Sequence, residues 1–319
     1  MKKLIPILYT IREVDGFGKL FRFLESIKGA DLDSFELIII AKSDKISFRN
    51  DINNAITSFD LDFAWNIWST SDDGFYFSSF RRYLLEHPCH AVILLSSDAI
   101  VQNKDWAKIL FFPVQSNLAP LCGSMGSWES ILENKKTINL ISLKKHLRRK
   151  LSFLQIELDY YYNGGDAISS KDISKSSYLP SLFLPFLAIL VFLKQFGSIR
   201  FLSKSFFRFP NPHIRGCGFA ITRDLFLRTV TADTQSEMDG FKIESGKKSF
   251  VNMSLRYPTF QSSALIYVGE YVEISNLKVM KTFRSESSFE PLVIDDHYLD
   301  FKYSDKARRK SLTRITWGV

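Results

Sequence analysis

The stretch that decides the fold lies at residues 91–101, which read Ala-Val-Ile-Leu-Leu-Ser-Ser-Asp-Ala-Ile-Val. A short apolar run of this kind is typical of a buried strand, and it ends at two serines and a single carboxylate, Asp98. In α/β folds, ligands bind beyond the carboxyl ends of the strands. The stretch therefore predicts that Asp98 lies at a ligand-binding edge of a sheet. A second interpretation makes Asp98 the N-cap of a helix that follows it.

Strand-like and helix-like stretches alternate before this motif. Residues 4–10, 35–41 and 63–68 are apolar runs of strand length, whereas residues 17–27 and 77–85 have helical apolar spacing. This alternation predicts an α/β fold, in which helices flank a mainly parallel sheet. One crevice would then collect the polar residues that follow the strands: Thr10, Arg12, Lys42, Ser43, Asp44, Ser96, Ser97 and Asp98.

The regular alternation breaks down after residue 130, so the sequence predicts three segments, 1–130, 131–208 and 209–319. The middle segment is predicted to be a helical insertion that is partly basic and partly hydrophobic. Its residues 179–193 carry no charge but contain two prolines, and a spanning helix needs about 20 apolar residues. Two interpretations stay open: a buried or hairpin-like insertion, and a re-entrant or interfacial membrane segment.

Composition narrows the class of protein. The chain has 319 residues, of which 45% are hydrophobic and 24% are charged, as in an ordinary folded protein. The net charge is +8, and basic clusters at residues 144–150 and 306–314 favour an anionic partner, either phospholipid or nucleic acid. The chain lacks zinc-finger, RNP and basic-zipper patterns, which disfavours nucleic acid as the partner.

Three widely spaced cysteines indicate a reducing cytoplasm. Only the first nine residues resemble a signal peptide, and their apolar stretch is too short for one.

Two motifs stand out in the final third. Residues 209–221 read Phe-Pro-Asn-Pro-His-Ile-Arg-Gly-Cys-Gly-Phe-Ala-Ile, which predicts a stiff turn leading into a strand. Residues 239–249 read Asp-Gly-Phe-Lys-Ile-Glu-Ser-Gly-Lys-Lys-Ser and precede a helical pattern over 250–255. We expect Glu244 near the N-terminal end of that helix, where the helix dipole favours the ionised carboxylate.

Together, these motifs resemble a bacterial GT-A fold, family 2-like glycosyltransferase of surface polysaccharide biosynthesis. The resemblance covers most of the chain outside residues 140–205 and is carried by residues 95–98, 123–130, 209–215, 244–249, the region of Asp296, and 317–318. It implies transfer of a sugar, such as a hexose, from a nucleotide-sugar donor to a lipid-linked or polysaccharide acceptor. Lipopolysaccharide and other cell-envelope polymers are products of this kind.

The resemblance also implies where the donor binds. The residues at the donor positions are Thr10, Arg12, Ser43, Asp44, Arg82, Ser97 and Asp98. Asp98 matches the last residue of an Asp-x-Asp motif that holds a divalent cation, Mn²⁺ or Mg²⁺, against the diphosphate, but Ser96 replaces the first Asp. His297 is a second candidate metal ligand. Polar residues after strands are also ordinary turn formers, so these roles are expectations.

For catalysis, the resemblance implies an inverting reaction in which Glu244 takes the proton of the acceptor hydroxyl, with Asp239 as the second candidate base. A retaining mechanism stays open, and an ordinary helix cap would account for either residue. The candidate acceptor-binding residues are Trp128, Glu129, His213 and Arg215. A lone histidine is more often structural, and Trp128 could simply pack.

The expected location is the cytoplasm, peripheral on the inner face of the plasma membrane. The expected partners are the donor, the acceptor and an anionic membrane surface, but not nucleic acid. An alternative from another class is a catalytically inactive, membrane-peripheral scaffold protein with a GT-A-like fold, because the metal motif lacks its first Asp.

Overall fold

The computed structural model describes residues 4–132, 202–276, 281–286 and 289–317. The predictions for residues 144–150 and 179–193 lie outside the described residues. By its internal contacts the chain divides into two compact units. One consists of Met1–Glu129 and Pro210–Val319, and the other of Ser130–Phe209. The elements and the site described below belong to the first unit.

Twelve strands and nine helices are formed by the described residues of this unit, besides short 3₁₀ turns at Glu13–Asp15 and Ile274–Asn276. The strands are β1 (Ile5–Arg12), β2 (Phe35–Lys42), β3 (Ala64–Thr70), β4 (Ala91–Leu95), β5 (Ile100–Val101), β6 (Leu121–Gly123), β7 (Gly126–Ser127), β8 (His213–Ile214), β9 (Gly218–Thr222), β10 (Leu265–Tyr267), β11 (Tyr271–Glu273) and β12 (Val293–Ile294). The helices are α1 (Gly18–Ile27), α2 (Ile46–Thr57), α3 (Tyr76–Glu86), α4 (Trp106–Gln115), α5 (Arg223–Thr229), α6 (Glu237–Ser245), α7 (Phe250–Ser254), α8 (Asp296–Tyr303) and α9 (Lys306–Trp317).

The central sheet has eight strands in the order β11-β10-β6-β9-β4-β1-β2-β3. Strands β4, β1, β2 and β3 are parallel to one another, and β6 is parallel to β10. Strand β9 runs antiparallel to both of its neighbours, β4 and β6. The predicted α/β fold with a mainly parallel sheet is confirmed, as are the predicted strands and helices of the first hundred residues, with bounds shifted by one or two residues.

The core forms because β1 and β4 are apolar on both faces. Every residue of β4 is buried, which is typical of a central strand covered by helices on both sides. Helix α1 buries the residues of one stripe against the sheet: Leu20, Phe23, Leu24 and Ile27. Tyr9 of β1 stacks on Phe23, with ring centroids 4.1 Å apart.

The strand register brings distant turns to one edge of the sheet. Gly218, the first residue of β9, pairs with Leu95, the last residue of β4, so the turn before β9 lies beside the segment after β4. The Ser96 N–H donates to the Cys217 carbonyl at 3.2 Å. The Tyr9 hydroxyl donates to the Ser97 carbonyl at 2.7 Å, which ties the end of β1 to the same edge.

Two expectations about helix ends are wrong. Glu244 lies in the last turn of α6, a helix that the sequence did not predict, and not at the N-terminal end of the next helix. The Ser236 side chain caps α6 by accepting from the Asp239 N–H. Nor does Asp98 cap a helix, because β5 follows it at Ile100–Val101 and α4 begins only at Trp106. Among the helices that the structure describes, none is long and apolar enough to cross a membrane.

The central position of β4 leads to a stability prediction. Ile93 has no exposed surface, whereas Ile46 at the start of α2 is 78% exposed. Ile93→Ala should lower the free energy of unfolding by about 2 to 5 kcal/mol, since it leaves a cavity in a buried sheet. The matched Ile46→Ala should change it by less than about 0.5 kcal/mol. Urea denaturation checks both values, and equal effects would contradict the central placement of β4.

Candidate functional site

The candidate site centres on the turn between β8 and β9 and on the end of α6. The Gly216 backbone N–H donates a short hydrogen bond to Oε1 of Glu244. Among the described residues, the other carboxylate oxygen, Oε2, has no hydrogen-bond partner. The turn itself is held because the Arg215 N–H donates to the Met125 carbonyl at 2.9 Å. The turn therefore fixes one oxygen of Glu244, Oε1.

A side chain at position 216 would have to displace neighbouring side chains. A Cβ there would lie 2.6 Å from Oε1 of Glu244 and 2.6 Å from the hydroxyl of Tyr76. Tyr76 begins α3, and its pKa is raised well above the ordinary value by burial and then by the charge of Glu244. A neutral phenol and a carboxylate thus border the same glycine.

Arg215 is the cation of the site. Its guanidinium lies 3.9 Å from Glu129 and 3.8 Å from Asp295, and it covers the Phe283 ring with its Cζ 4.4 Å from the centroid. Burial lowers the pKa of Arg215, but the charges of Glu244, Asp295 and Glu129 outweigh burial and raise the pKa overall. Arg215 therefore stays charged and compensates several carboxylates at once.

A second arginine, Arg284, lies beside Glu129 and Arg215, and these three residues form one wall of the site. Nη1 of Arg284 lies 3.1 Å from Oε1 of Glu129, so Glu129 lies between the two guanidinium groups. Helix α9 fixes this segment, because Thr313 donates to the Arg284 carbonyl at 3.0 Å and the Trp317 indole donates to the Phe283 carbonyl at 2.6 Å.

The electrostatic environment raises the pKa of Glu244 above its ordinary value. Burial is the main cause, and the charges of Asp295 and Asp98 act in the same direction, whereas Arg215 and the Gly216 N–H oppose them. The position of Glu244 at the C-terminal end of α6 also disfavours a negative charge. A partly buried carboxylate whose pKa lies closer to neutrality is suited to accept a proton from a hydroxyl group.

Asp98 follows β4 at the expected edge of the sheet. The Ser96 hydroxyl donates to its Oδ1, so the serine that replaces the first Asp of the motif orients the remaining carboxylate. The charge of Asp98 contributes to the raised pKa values of Glu244, Tyr76 and Cys217, which indicates that Asp98 faces the same cluster.

The structure does not bring together a complete set of metal ligands. Within the described residues, no group of three or more His, Cys, Asp or Glu side chains could hold a metal ion. His297 is exposed in the first turn of α8, and Asp295 caps that helix by accepting from the Tyr298 N–H at 2.7 Å. The metal roles of Asp98 and His297 stay predictions.

The other donor-side candidates lie at the carboxyl ends of β1 and β2 but differ in their contacts. Arg12 forms a bidentate pair with Asp72 at 2.9 and 3.1 Å. Ser43 donates to Glu13 at 3.0 Å, Asp44 is exposed, and Thr10 is buried within β1. These positions lie at the edge of the sheet where the sequence predicts the crevice.

Arg82 lies in a polar network that joins two loops. It pairs with Asp73, and its Nη2 lies 2.6 Å from Asp233, which connects the loop after β3 to the loop before α6. The guanidinium is thus already engaged by carboxylates within the protein.

The remaining candidates have structural partners. His213 is buried in β8, and its ring Nδ1 lies 2.8 Å from the Asn211 carbonyl. Asp239 belongs to the N-terminal cap of α6, where it contacts Ser236 at 2.9 Å and Lys242 at 2.9 Å. Trp128 packs against Trp317 with ring centroids 5.8 Å apart. Of the residues predicted from sequence, Glu244, Arg215, Glu129 and Asp98 form the cluster.

Sequence reasoning missed several members of the site: Tyr76, Gly216, Asp72, Arg284 and Asp295. It placed Lys42 in the crevice without assigning it a role. Lys42 ends β2 and is almost completely buried, and it donates to the Gly74 carbonyl at 2.7 Å. Burial lowers its pKa. A lysine directly after a predicted strand is a signal that the sequence offers, whereas no local pattern marks the Phe283-Arg284 pair.

Comparison with known proteins gives partial similarity only. Neither a family model nor a curated protein matches the chain. Similar solved structures include TarS from S. aureus, with 13% identity and a TM-score of 0.30 over 39% of this chain and 22% of TarS. The mannosyltransferase PcManGT from Pyrobaculum calidifontis, in complex with GDP-Man and Mn²⁺, has 11% identity and a TM-score of 0.32 over 39% of this chain and 35% of that one.

The glycosyltransferase GlyE from Streptococcus pneumoniae is also similar, with 12% identity and a TM-score of 0.26 over 38% of this chain and 29% of GlyE. The chain thus spans about a fifth to a third of these proteins' length. At these TM-scores the similarity carries no argument about family, substrate or activity.

The buried position of His213 gives a prediction about its charge. Burial lowers the pKa of His213 to about 4, from an ordinary value of 6.5. Its imidazole should therefore stay neutral in the folded protein from about pH 8 to about pH 5.5. Because the unfolded chain binds this proton first, His213 should reduce stability as the pH falls from 6.5 towards 4. Nitrogen-15 NMR of the imidazole, assigned with His213→Gln, checks this. Protonation near pH 6.5 would contradict it.

Proposed function

We propose that this protein is a glycosyltransferase that moves a sugar from a nucleotide-sugar donor to a lipid-linked or polysaccharide acceptor. The observation that carries the proposal is the environment of Glu244. One of its oxygens accepts from the Gly216 N–H, its second oxygen has no partner among the described residues, and its pKa is raised by burial. A positioned carboxylate of this kind supplies the base that sugar transfer to a hydroxyl group requires.

The proposed reaction is an inverting displacement. The acceptor hydroxyl attacks the anomeric carbon while Oε2 of Glu244 takes its proton, and the bond from that carbon to the nucleoside diphosphate breaks. The anomeric carbon becomes cationic in the transition state, and negative charge grows on the leaving diphosphate. Asp239 fits the role of base less well, because Lys242 and Ser236 bind its carboxylate and lower its pKa.

A divalent cation suits the diphosphate, and Asp98 is the residue that would hold it. Carboxylate oxygen is a ligand that Mg²⁺ and Mn²⁺ accept, and the Ser96 hydroxyl orients Asp98. With a single carboxylate at this motif, the other ligands would come from substrate phosphates and water. When bound, the cation would neutralise charge on the leaving group.

The donor crevice is proposed to follow the carboxyl ends of β1, β2 and β4, where Arg12, Ser43, Asp44 and Ser97 lie. The acceptor is proposed to approach from the side of the site formed by Trp128, Glu129 and Arg215.

We infer a location in the cytoplasm, on the inner face of the plasma membrane, because the net charge of +8 favours contact with anionic lipid.

One observation favours the inactive scaffold as a second candidate function. Several candidate binding residues are engaged inside the protein: Arg12 with Asp72, Arg82 with Asp73 and Asp233, and Asp98 with Ser96. A protein that had lost its chemistry could keep such contacts for stability alone. Turnover of a nucleotide sugar separates the two candidates.

The test is release of the leaving nucleotide by the purified protein, as UDP, GDP or dTDP from the diphosphate sugars and as CMP from CMP-sugars, with and without Mn²⁺ and lipid. Turnover of one donor is expected, and Glu244→Gln should lower kcat by about 10²- to 10⁴-fold because it removes the base. Asp98→Asn should weaken turnover and its response to Mn²⁺. Glu237→Gln, an exposed position on the same helix, is the matched control and should have no effect.

Absence of binding and turnover for every donor, with lipid present as well as absent, would support the scaffold. If Glu244→Gln leaves turnover intact, the protein is a glycosyltransferase in which Glu244 is not the base.

A further inference from the structure

Helix α9 has an unusual charge distribution. Its twelve residues, Lys306–Trp317, include five basic residues and no acidic one. Two of the five have acidic partners, since Arg308 lies 2.8 Å from Asp300 and Arg309 lies 3.7 Å from Glu286. The other three are exposed and have no acidic partner among the described residues: Lys306, Lys310 and Arg314.

The three unpaired cations lie on one side of the helix. They are spaced by four residues, and side chains at that spacing are neighbours on a helix surface. With a rise of about 1.5 Å per residue, they form a stripe about 12 Å long. Asp305, which precedes Lys306 in the chain, accepts from the Arg308 N–H at the N-terminus of α9 at 2.8 Å and forms no ion pair with the three cations among the described residues. The stripe therefore presents three exposed cations to solvent.

The same helix is attached to the wall of the candidate site. Thr313 and Trp317 bind the carbonyls of Arg284 and Phe283, and Trp317 packs on Trp128. Arg284 in turn pairs with Glu129 beside Arg215. A surface that docks through α9 would therefore be connected to the site by direct contacts.

We propose that the cationic stripe, defined as Lys306, Lys310 and Arg314, binds the phosphates of anionic lipid headgroups. The proposal rests on the proposed function, since it places the acceptor side of that site at a membrane. Tyr303, three residues before the stripe, is 79% exposed, and an amphipathic aromatic ring is typical of the membrane interface. Duplex-binding proteins often neutralise about 6 to 10 phosphates, which three cations cannot supply.

The test is co-sedimentation of the full chain with phosphatidylcholine vesicles, with and without phosphatidylglycerol. Binding should require phosphatidylglycerol and fall as salt is raised. Lys306→Gln, Lys310→Gln and Arg314→Gln together should weaken it on the order of a hundredfold, at about fivefold per cation. The matched control, Lys28→Gln with Lys104→Gln and Lys248→Gln, removes the same charge from exposed positions and should bind nearly as well as the unmodified protein.

Three results would overturn the proposal that the stripe binds lipid. They are absence of binding to the anionic vesicles, an equal loss of vesicle binding in the control variant, and binding of an RNA oligonucleotide in preference to the vesicles. Thermal denaturation checks that both variants are folded. Donor turnover without vesicles is measured in parallel and should not change in the stripe variant. For the unmodified protein, turnover without vesicle binding would overturn the stripe proposal alone, whereas vesicle binding without turnover would overturn the proposed function alone.

Discussion

The hydrogen bond from the Gly216 backbone to Glu244 is the interaction on which the rest of the site depends. A carboxylate taken out of water is costly unless donors or cations compensate it, and this one has a backbone N–H and the nearby charge of Arg215. Arg215 also faces Glu129 and Asp295, so the compensation is shared among several acids. Competition between burial and this partial compensation leaves Glu244 with a raised pKa, which is the property that a base needs.

The sheet register explains why these groups meet. Strand β9 lies antiparallel between β4 and β6, so its first residue, Gly218, lies opposite the last residue of β4. The turn that carries Arg215 and Gly216 therefore lies beside Asp98. A slip of one residue would turn the side chains of β9 to opposite faces and break the buried register. The same strand register therefore determines both the packing of the core and the geometry of the site.

Much of this architecture follows from local sequence, and the site follows only in part. The strands before Asp98 are continuous apolar runs, and Asp98 is correctly placed at the sheet edge because the run ends there. Helix α6 was missed because its residues mix polar and apolar types without a clear stripe, so the position of Glu244 in its helix was wrong. Contacts such as Glu129 with Arg284 join residues 155 positions apart, and local patterns do not encode them.

The most direct measurement of the central claim is the pH dependence of kcat/KM for Gly216→Ala beside the unmodified protein. The Gly216 N–H lowers the pKa of Glu244, so disturbing it should raise that pKa and move the acidic limb of the profile to higher pH. Gly18→Ala is the control, because a Cβ at position 18 meets no atom within 4 Å. An acidic limb that Gly216→Ala leaves at the same pH, with turnover intact, would contradict the assignment of Glu244 as the base.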